Sequence, residues 1–173
     1  LIEVLNKRFD RLDDGFYPEF DDTRHTYRDS YQYEDIDNLG FDFSKIEDAL
    51  DSRMDRDCVK ADRLMISADW GASFNCLVVA QERRSEIVFL KNIYVRHQMF
   101  DEVFKLFCRY YAHHHERTVD FYYDRNGNSK RAGANDTLAN EAQAIMKRNG
   151  WKVLPKSRGL DPYHLAKYQL INT

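Results

Sequence analysis

The chain has 173 residues, of which 43% are hydrophobic and 14% aromatic, enough to bury the core of one domain. No apolar run reaches the roughly 20 residues of a membrane-spanning helix, and three scattered cysteines without a CxxC pair predict reduced cytosolic thiols. The net charge of −3 hides an asymmetry, because residues 1–60 carry −8 and residues 61–173 carry +5, which favours a polyanionic partner for the second part.

The first sixty residues are acidic and weakly patterned. The stretch "DDGFYPEFDDTRHTYRDSYQYEDIDNLGFDF" is rich in aspartate and tyrosine without a sustained period, which predicts an acidic, loop-rich N-terminal segment. In "SKIEDALDSRMDRD" (44–57), Ser44 is followed three residues later by Glu47, a capping-box pattern that predicts a helix. We place a domain boundary near residue 60.

The pattern sharpens from Arg63 onward. Short apolar runs separated by "WGAS" and "ERRS" predict an antiparallel meander of three strands, over 64–69, 74–81 and 86–95. Helical periodicity then predicts an amphipathic helix over 99–115.

The remaining elements alternate between strand and helix. "TVDFYYD" (118–124) predicts a fourth strand, and the polar stretch "RNGNSKRAGAND" predicts a loop. A second amphipathic helix is expected over 137–150, with Asp136 as N-cap and Gly150 just past its end, before a fifth strand over 151–155. The order βββαβαβ predicts an α/β fold, a mixed five-stranded sheet with helices packed on it.

Two aspartates end predicted strands and are the leading candidates for chemistry. Asp69 ends the first strand and Asp124 the fourth, and each is followed within three residues by a glycine. A helical crossover after a three-stranded meander can make these strands neighbours, which would bring the carboxylates together. Adjacent carboxylates repel unless a cation lies between them, so the pair predicts a site for a hard divalent metal. The alternative is that each aspartate caps a turn.

Other polar residues have competing interpretations. Arg125, Lys130 and Arg131 follow Asp124 in a loop that either holds phosphates or is an ordinary solvated connection. His113-His114-His115 cannot converge on one ion from consecutive helical positions, so we expect a solvated helix C-terminus. Asp161 precedes Pro162, which favours a helix N-cap over a metal ligand.

Three stretches resemble the nuclease domain of the large terminase subunit of tailed bacteriophages, which has a ribonuclease H-like fold. "MISADWGASFNCLVVAQ" resembles the family's first strand with its acid, at Asp69. "VDFYYDRNGNSKRAGANDTLANEAQAIMKRNGWKV" resembles the fourth strand with its acid at Asp124, followed by the loop, helix and fifth strand. "GFYPEFDDTRHTY" (15–27) resembles the end of the family's ATPase domain, ahead of the linker to the nuclease.

The resemblance implies a two-metal endonuclease, using Mg²⁺ or Mn²⁺, that cuts concatemeric double-stranded DNA with little sequence preference during packaging. Asp69 would bridge the ions, Asp124 would complete one metal's shell, and Arg125, Lys130 and Arg131 would contact DNA. It further implies that residues 1–60 are the tail of an ATPase domain and a linker, and 61–173 the nuclease domain. The implied partners are the portal and the small terminase subunit, without a membrane, in the cytoplasm of the bacterial host.

The chain departs from the family pattern at its end. The family's final acid lies on a helix well beyond the fifth strand, whereas this chain ends at Thr173 and begins at Leu1 instead of Met. We therefore expect an incomplete fragment whose third acid lies downstream and which binds metal poorly and cuts weakly, the alternative being that Asp161 takes the place of that acid.

Two other functional classes remain open from the sequence. "DWGAS" also resembles the D-x-G-x-[ST] phosphate loop of actin-like ATPases and sugar kinases, which need a second such lobe. The other class is a non-catalytic ribonuclease H-like module that docks onto a portal or motor subunit through its acidic, tyrosine-rich segment 13–43.

Overall fold

The computed structural model describes residues 21–26, 51–70, 74–96 and 100–157. The chain divides into two compact units, Asp29–Leu160 and a unit formed by Leu1–Arg28 with Asp161–Thr173. The described part of the latter unit contains one short helix, α1 (Asp22–His25). This division differs from a boundary near residue 60, which stays a prediction.

The larger unit contains a five-stranded mixed sheet with two long helices, so the predicted α/β class is confirmed. Helix α2 (Phe100–Tyr110) lies between the third and fourth strands, and α3 (Leu138–Arg148) lies between the fourth and fifth. The strands are β1 (Leu64–Trp70), β2 (Phe74–Arg83), β3 (Glu86–Arg96), β4 (Thr118–Tyr123) and β5 (Lys152–Lys156).

The sheet has the spatial order β3-β2-β1-β4-β5. Strands β1, β2 and β3 pair antiparallel as a meander, whereas β4 pairs parallel with both β1 and β5. The α2 and α3 crossovers produce this change, because parallel neighbours need a long connection. As a result, the carboxyl ends of β1 and β4 lie side by side at one edge of the sheet.

The two faces of the sheet differ because side chains alternate along each strand. Leu64, Ile66 and Ala68 point to the buried side, where they pack with Phe104 and Phe107 of α2 in the hydrophobic core. The intervening residues of β1, namely Met65, Ser67 and Asp69, lie on the opposite face, which we call the outer face.

Helix α3 begins one residue later than predicted. Its N-cap is Thr137, whose side chain accepts a hydrogen bond from the Asn140 amide at 3.3 Å, so the prediction of Asp136 as N-cap is wrong. Its C-terminus ends as expected, with Gly150 in the left-handed region at φ 82°. The Gly150 and Trp151 amides donate to the carbonyls of Lys147 and Met146, which satisfies the last turn in a Schellman motif.

Helix α2 ends at Tyr110, so the histidine run lies beyond it and the prediction of a solvated helix C-terminus is wrong for His114. His114 is buried, with Nε2 2.8 Å from the Asp62 carbonyl and Nδ1 3.7 Å from the Cys58 thiol. Burial lowers the pKa of His114. Because a carbonyl oxygen only accepts, the hydrogen bond to Asp62 assigns a proton to Nε2. His114 therefore stabilises the core and joins it to the segment before β1.

The segment before β1 is not helical in its described part, so the helix predicted over 44–57 is wrong there, while residues 44–50 lie outside the described part. Ser52–Met54 form a single 3₁₀ turn between extended residues, capped by the Asp51 side chain. Asp55 is buried, and its Oδ1 accepts a 2.8 Å hydrogen bond from the Tyr110 hydroxyl. The local helical pattern is overridden by this tertiary contact.

Arg84 occupies the tight turn between β2 and β3 in the left-handed region, at φ 55°. This conformation is costly for a residue with a Cβ atom. We expect Arg84→Gly to raise the free energy of unfolding by about 0.5–1 kcal/mol, measured as a higher urea midpoint at unchanged slope. Ser85→Gly is the matched control and should lower the midpoint, because Ser85 does not have a positive φ. A lower midpoint for Arg84→Gly would contradict the prediction.

Candidate metal centre

The two candidate aspartates lie at the carboxyl ends of neighbouring parallel strands. The register between β1 and β4 pairs Ala68 with Tyr123; the next residues along the chain are Asp69, the second-last residue of β1, and Asp124, the first residue after β4. Neighbouring strands in a sheet lie about 4.8 Å apart, so the backbones at Asp69 and Asp124 should be separated by a distance of this order. The sheet topology thus places the backbones of the two acids that the sequence singled out side by side at one edge of the sheet.

Asp69 presents an exposed carboxylate from a rigid strand. It pairs across the sheet with Cys76 of β2, and within the described residues its carboxylate accepts no hydrogen bond and forms no ion pair. Burial, followed by the negative charge of Asp69, raises the pKa of the Cys76 thiol. The Asp69 charge therefore acts on its neighbours and is available to a cation.

Trp70 holds the end of β1 in place. Its ring stacks on Phe100 at 5.4 Å between centroids and lies 5.9 Å from Phe104 and 6.3 Å from Phe121. Such aromatic contacts add to the burial of apolar area. The residue that follows Asp69 is therefore packed against the core, which limits the movement of the β1 backbone at this position.

Asp124 caps the 3₁₀ helix that follows β4, Arg125–Asn128. Its Oδ1 accepts the Asn126 backbone amide at 3.0 Å, and its Oδ2 accepts the Asn126 side-chain amide at 2.8 Å. The turn-capping role considered for this residue is thus present. It is compatible with metal binding, because each carboxylate oxygen keeps a second lone pair.

Gly127 allows this turn to pack closely on β4. A Cβ atom at Gly127 would lie 2.5 Å from Cδ2 of the Tyr123 ring, too close for the present packing. We expect Gly127→Ala to lower the free energy of unfolding by about 1–3 kcal/mol by displacing the ring or the turn that holds Asp124. Thermal unfolding of Gly127→Ala beside Gly133→Ala tests this, since nothing lies within 4 Å of a Cβ at Gly133, where only the positive φ of 77° opposes alanine. An unchanged melting temperature for Gly127→Ala would show that the contact with Tyr123 is unimportant.

The three basic residues after Asp124 differ in their surroundings. The side chains of Arg125 and Lys130 are exposed. Arg131 instead forms ion pairs with Glu141 of α3 and Asp101 of α2, and its guanidinium lies 5.0 Å from the Phe100 ring centroid. Arg125 and Lys130 are therefore the better candidates for phosphate contacts, and Arg131 joins the loop to the two helices.

The donor set suits a hard cation that keeps most of its other ligands from solvent or substrate. Among the residues described, no group of three His, Cys, Asp or Glu side chains is arranged to hold a metal ion, and Asp161 lies outside them. Mg²⁺ commonly binds through one or two carboxylates, with waters and substrate phosphates completing the shell. Asp69 and Asp124 fit this pattern as a pair.

Asp120 and Asn126 are polar residues that the sequence did not single out. Asp120 lies on the outer face of β4 and pairs with Arg63 at 3.6 Å and Lys156 at 3.8 Å. It lines a groove of about 640 Å³ beside Arg63 and Arg83, toward the end of β1 opposite Asp69. Its place followed from the alternation in "TVDFYYD", whereas the contact of Asn126 with Asp124 needed coordinates.

No protein-family model matches the chain, and no curated protein matches it either. In the described ranges, no helix is long and apolar enough to cross a membrane.

All three cysteines are free thiols, and burial raises the pKa of both Cys58 and Cys108 to about 12, which makes these two poor nucleophiles. The sheet topology and the two acids are the features of the described residues that point to a function.

Proposed function

We propose that this chain is a ribonuclease H-like, metal-dependent endonuclease domain of a viral DNA-packaging terminase. The observation that supports it best is the placement of Asp69 and Asp124 at the carboxyl ends of neighbouring parallel strands, behind a three-stranded antiparallel meander. Two carboxylates at one sheet edge, neither of them in an ion pair among the described residues, suit a divalent cation.

In this proposal, Asp69 and Asp124 hold Mg²⁺ or Mn²⁺, two ions in the complete site. When bound, such ions lower the pKa of a water and stabilise the charge that develops on the leaving oxygen. The chain itself supplies a strand end at Asp69 that the packing of Trp70 holds in place, and an Asp124 carboxylate whose orientation the Asn126 contacts hold. A third acid from beyond the described residues would complete the ligand set.

The proposed substrate is concatemeric double-stranded DNA. Arg125 and Lys130, which follow Asp124 in the chain and are exposed, would contact phosphates of the DNA. Phosphate contacts position the duplex without reading its sequence, so little sequence preference is expected. Their contribution should also weaken as salt rises.

The rest of the proposal follows from the terminase resemblance. Residues 1–60 would be the tail of the ATPase domain and the linker, and the portal and small terminase subunit would be the partners. The protein would act in the cytoplasm of a bacterial host, as a phage or prophage protein.

Cleavage of supercoiled plasmid by the purified chain tests the proposal. We expect relaxed and then linear product with Mn²⁺, less with Mg²⁺, and none with EDTA, and the new ends should carry 5′-phosphates. A folded chain that gives no metal-dependent product and is instead stabilised against heat by Mg-ATP would overturn the proposal in favour of an actin-like or sugar-kinase lobe.

A further inference from the structure

Asp124 differs from Asp69 in being held by a single neighbouring residue. One carboxylate oxygen of Asp124 accepts the backbone amide of Asn126 at 3.0 Å, and the other accepts its side-chain amide at 2.8 Å. Rotation of the carboxylate about its last torsion would break at least one of these bonds. Both oxygens are therefore fixed, and each keeps one lone pair for a cation.

The two bonds have different structural consequences. The backbone bond belongs to the capped 3₁₀ turn, which is also closed by hydrogen bonds from Gly127 to Asp124 and from Ser129 to Asn126. The side-chain bond is additional to this closure, and the Asn126 side chain is exposed and packs in no core. Loss of the side-chain amide alone should thus leave the turn folded.

We propose that Asn126 is a positioning residue that pre-orients the Asp124 carboxylate for a divalent cation, an inference that rests on the proposed function. An oriented carboxylate loses less conformational freedom when a metal binds, so part of the ordering cost is met during folding. Groups that hydrogen-bond to metal ligands typically contribute a factor of about 10–100 to metal affinity or activity.

Asn126→Ala removes the side-chain bond and keeps the backbone amide, so it separates positioning from turn formation. Asn149→Ala is the matched control, because the Asn149 side-chain amide donates to the Ile145 carbonyl at 2.9 Å at the end of α3 and is unrelated to the acids. Both variants lose one side-chain hydrogen bond of an exposed asparagine. We expect small and similar changes in melting temperature.

The first measurement uses metal-free protein and reads the rotational mobility of the Asp124 carboxylate from the NMR relaxation of its side-chain carboxyl carbon. The parent and Asn149→Ala should show a rigid carboxylate at Asp124, and Asn126→Ala should show a mobile one. A mobile carboxylate in the parent, or an equally rigid one in Asn126→Ala, would overturn the inference. This readout needs neither metal nor cleavage, so it is independent of whether the chain is a nuclease.

The second measurement is Mn²⁺ binding by calorimetry. The dissociation constant should rise about 10–100-fold in Asn126→Ala and stay within about twofold of the parent in Asn149→Ala. Equal Mn²⁺ affinity in the parent and Asn126→Ala would overturn the role toward the metal, even where plasmid cleavage by the parent supports the proposed function. Absence of cleavage by the parent, with a carboxylate rigidity that depends on Asn126, would instead count against the nuclease alone.

Discussion

Asp69→Asn is expected to lower metal-dependent plasmid cleavage on the order of 1,000-fold, which corresponds to about 4 kcal/mol of transition-state stabilisation. An amide has the shape of the carboxylate but carries no charge, so it is a weak ligand for Mg²⁺ or Mn²⁺. Asp69 is exposed at the end of β1, and the variant loses no contact with the described residues. The measurement is the initial rate of plasmid linearisation at saturating Mn²⁺.

The stability of Asp69→Asn, unlike its cleavage rate, should not fall. Two acids on neighbouring strands repel one another without a cation, so a neutral side chain at position 69 should leave the metal-free melting temperature unchanged or slightly raised. Asp136→Asn is the matched control, an exposed carboxylate before α3 that should keep the parent rate. A parent-like rate for Asp69→Asn would remove the residue from the reaction, and a large loss of stability would assign it a structural role.

Asp55→Asn is expected to raise stability at neutral pH and to flatten its pH dependence. Asp55 is 3% exposed, and its Oδ2 is buried without a hydrogen-bond partner in the described part of the chain. Burial raises the pKa of Asp55 from 3.8 to about 6, against the opposing effects of the Tyr110 hydroxyl and of Lys91 on β3, and with smaller contributions from Asp57 and Asp51. Folding therefore favours the protonated carboxyl.

The pH window follows from that raised pKa. The contribution of Asp55 is fully present below about pH 4 and is lost as the pH rises through about 6. Over this range the parent should lose about 2–3 kcal/mol relative to Asp55→Asn, whose side chain is neutral throughout and can still accept from Tyr110. Urea unfolding of both proteins between pH 4 and pH 7 measures the difference. Parallel stability curves for the two proteins would show that Asp55 does not titrate in this window.

The sheet was largely predictable because its signals are local. Alternating apolar residues and short polar turns located each strand to within two residues, from the 64–69 run to the 152–156 strand. The neighbouring placement of Asp69 and Asp124 followed from the strand order, since a helical crossover after a meander permits a parallel pair. This part of the candidate site needed no knowledge of side-chain contacts.

The incorrect predictions concern residues whose structure depends on contacts with residues distant in the sequence. His114 is buried because Cys58 and the Asp62 carbonyl, more than fifty residues earlier, supply its polar contacts. Asp55 belongs to a stretch with a helical sequence pattern, but the stretch is not an α-helix there and Asp55 accepts a hydrogen bond from Tyr110 on α2. The hydrogen bonds that hold the Asp124 carboxylate are local, since both come from Asn126. The sequence shows that an asparagine is present, but not the direction in which its side-chain amide points. Tertiary contacts such as those of His114 and Asp55 cannot be derived from sequence periodicity or motif spacing.

The most direct test of the central claim is paramagnetic broadening by Mn²⁺ in the ¹⁵N-labelled chain. Substoichiometric Mn²⁺ should first broaden the amide signals of Asp69, Trp70 and Asp124. The Arg84 signal should stay sharp, because Arg84 lies in the β2–β3 turn, beyond the opposite end of β1, and β1 spans about 20 Å. This result would place a divalent cation at the paired strand ends. Selective broadening elsewhere, or uniform broadening that Asp69→Asn does not reduce, would contradict a metal centre formed by these two acids.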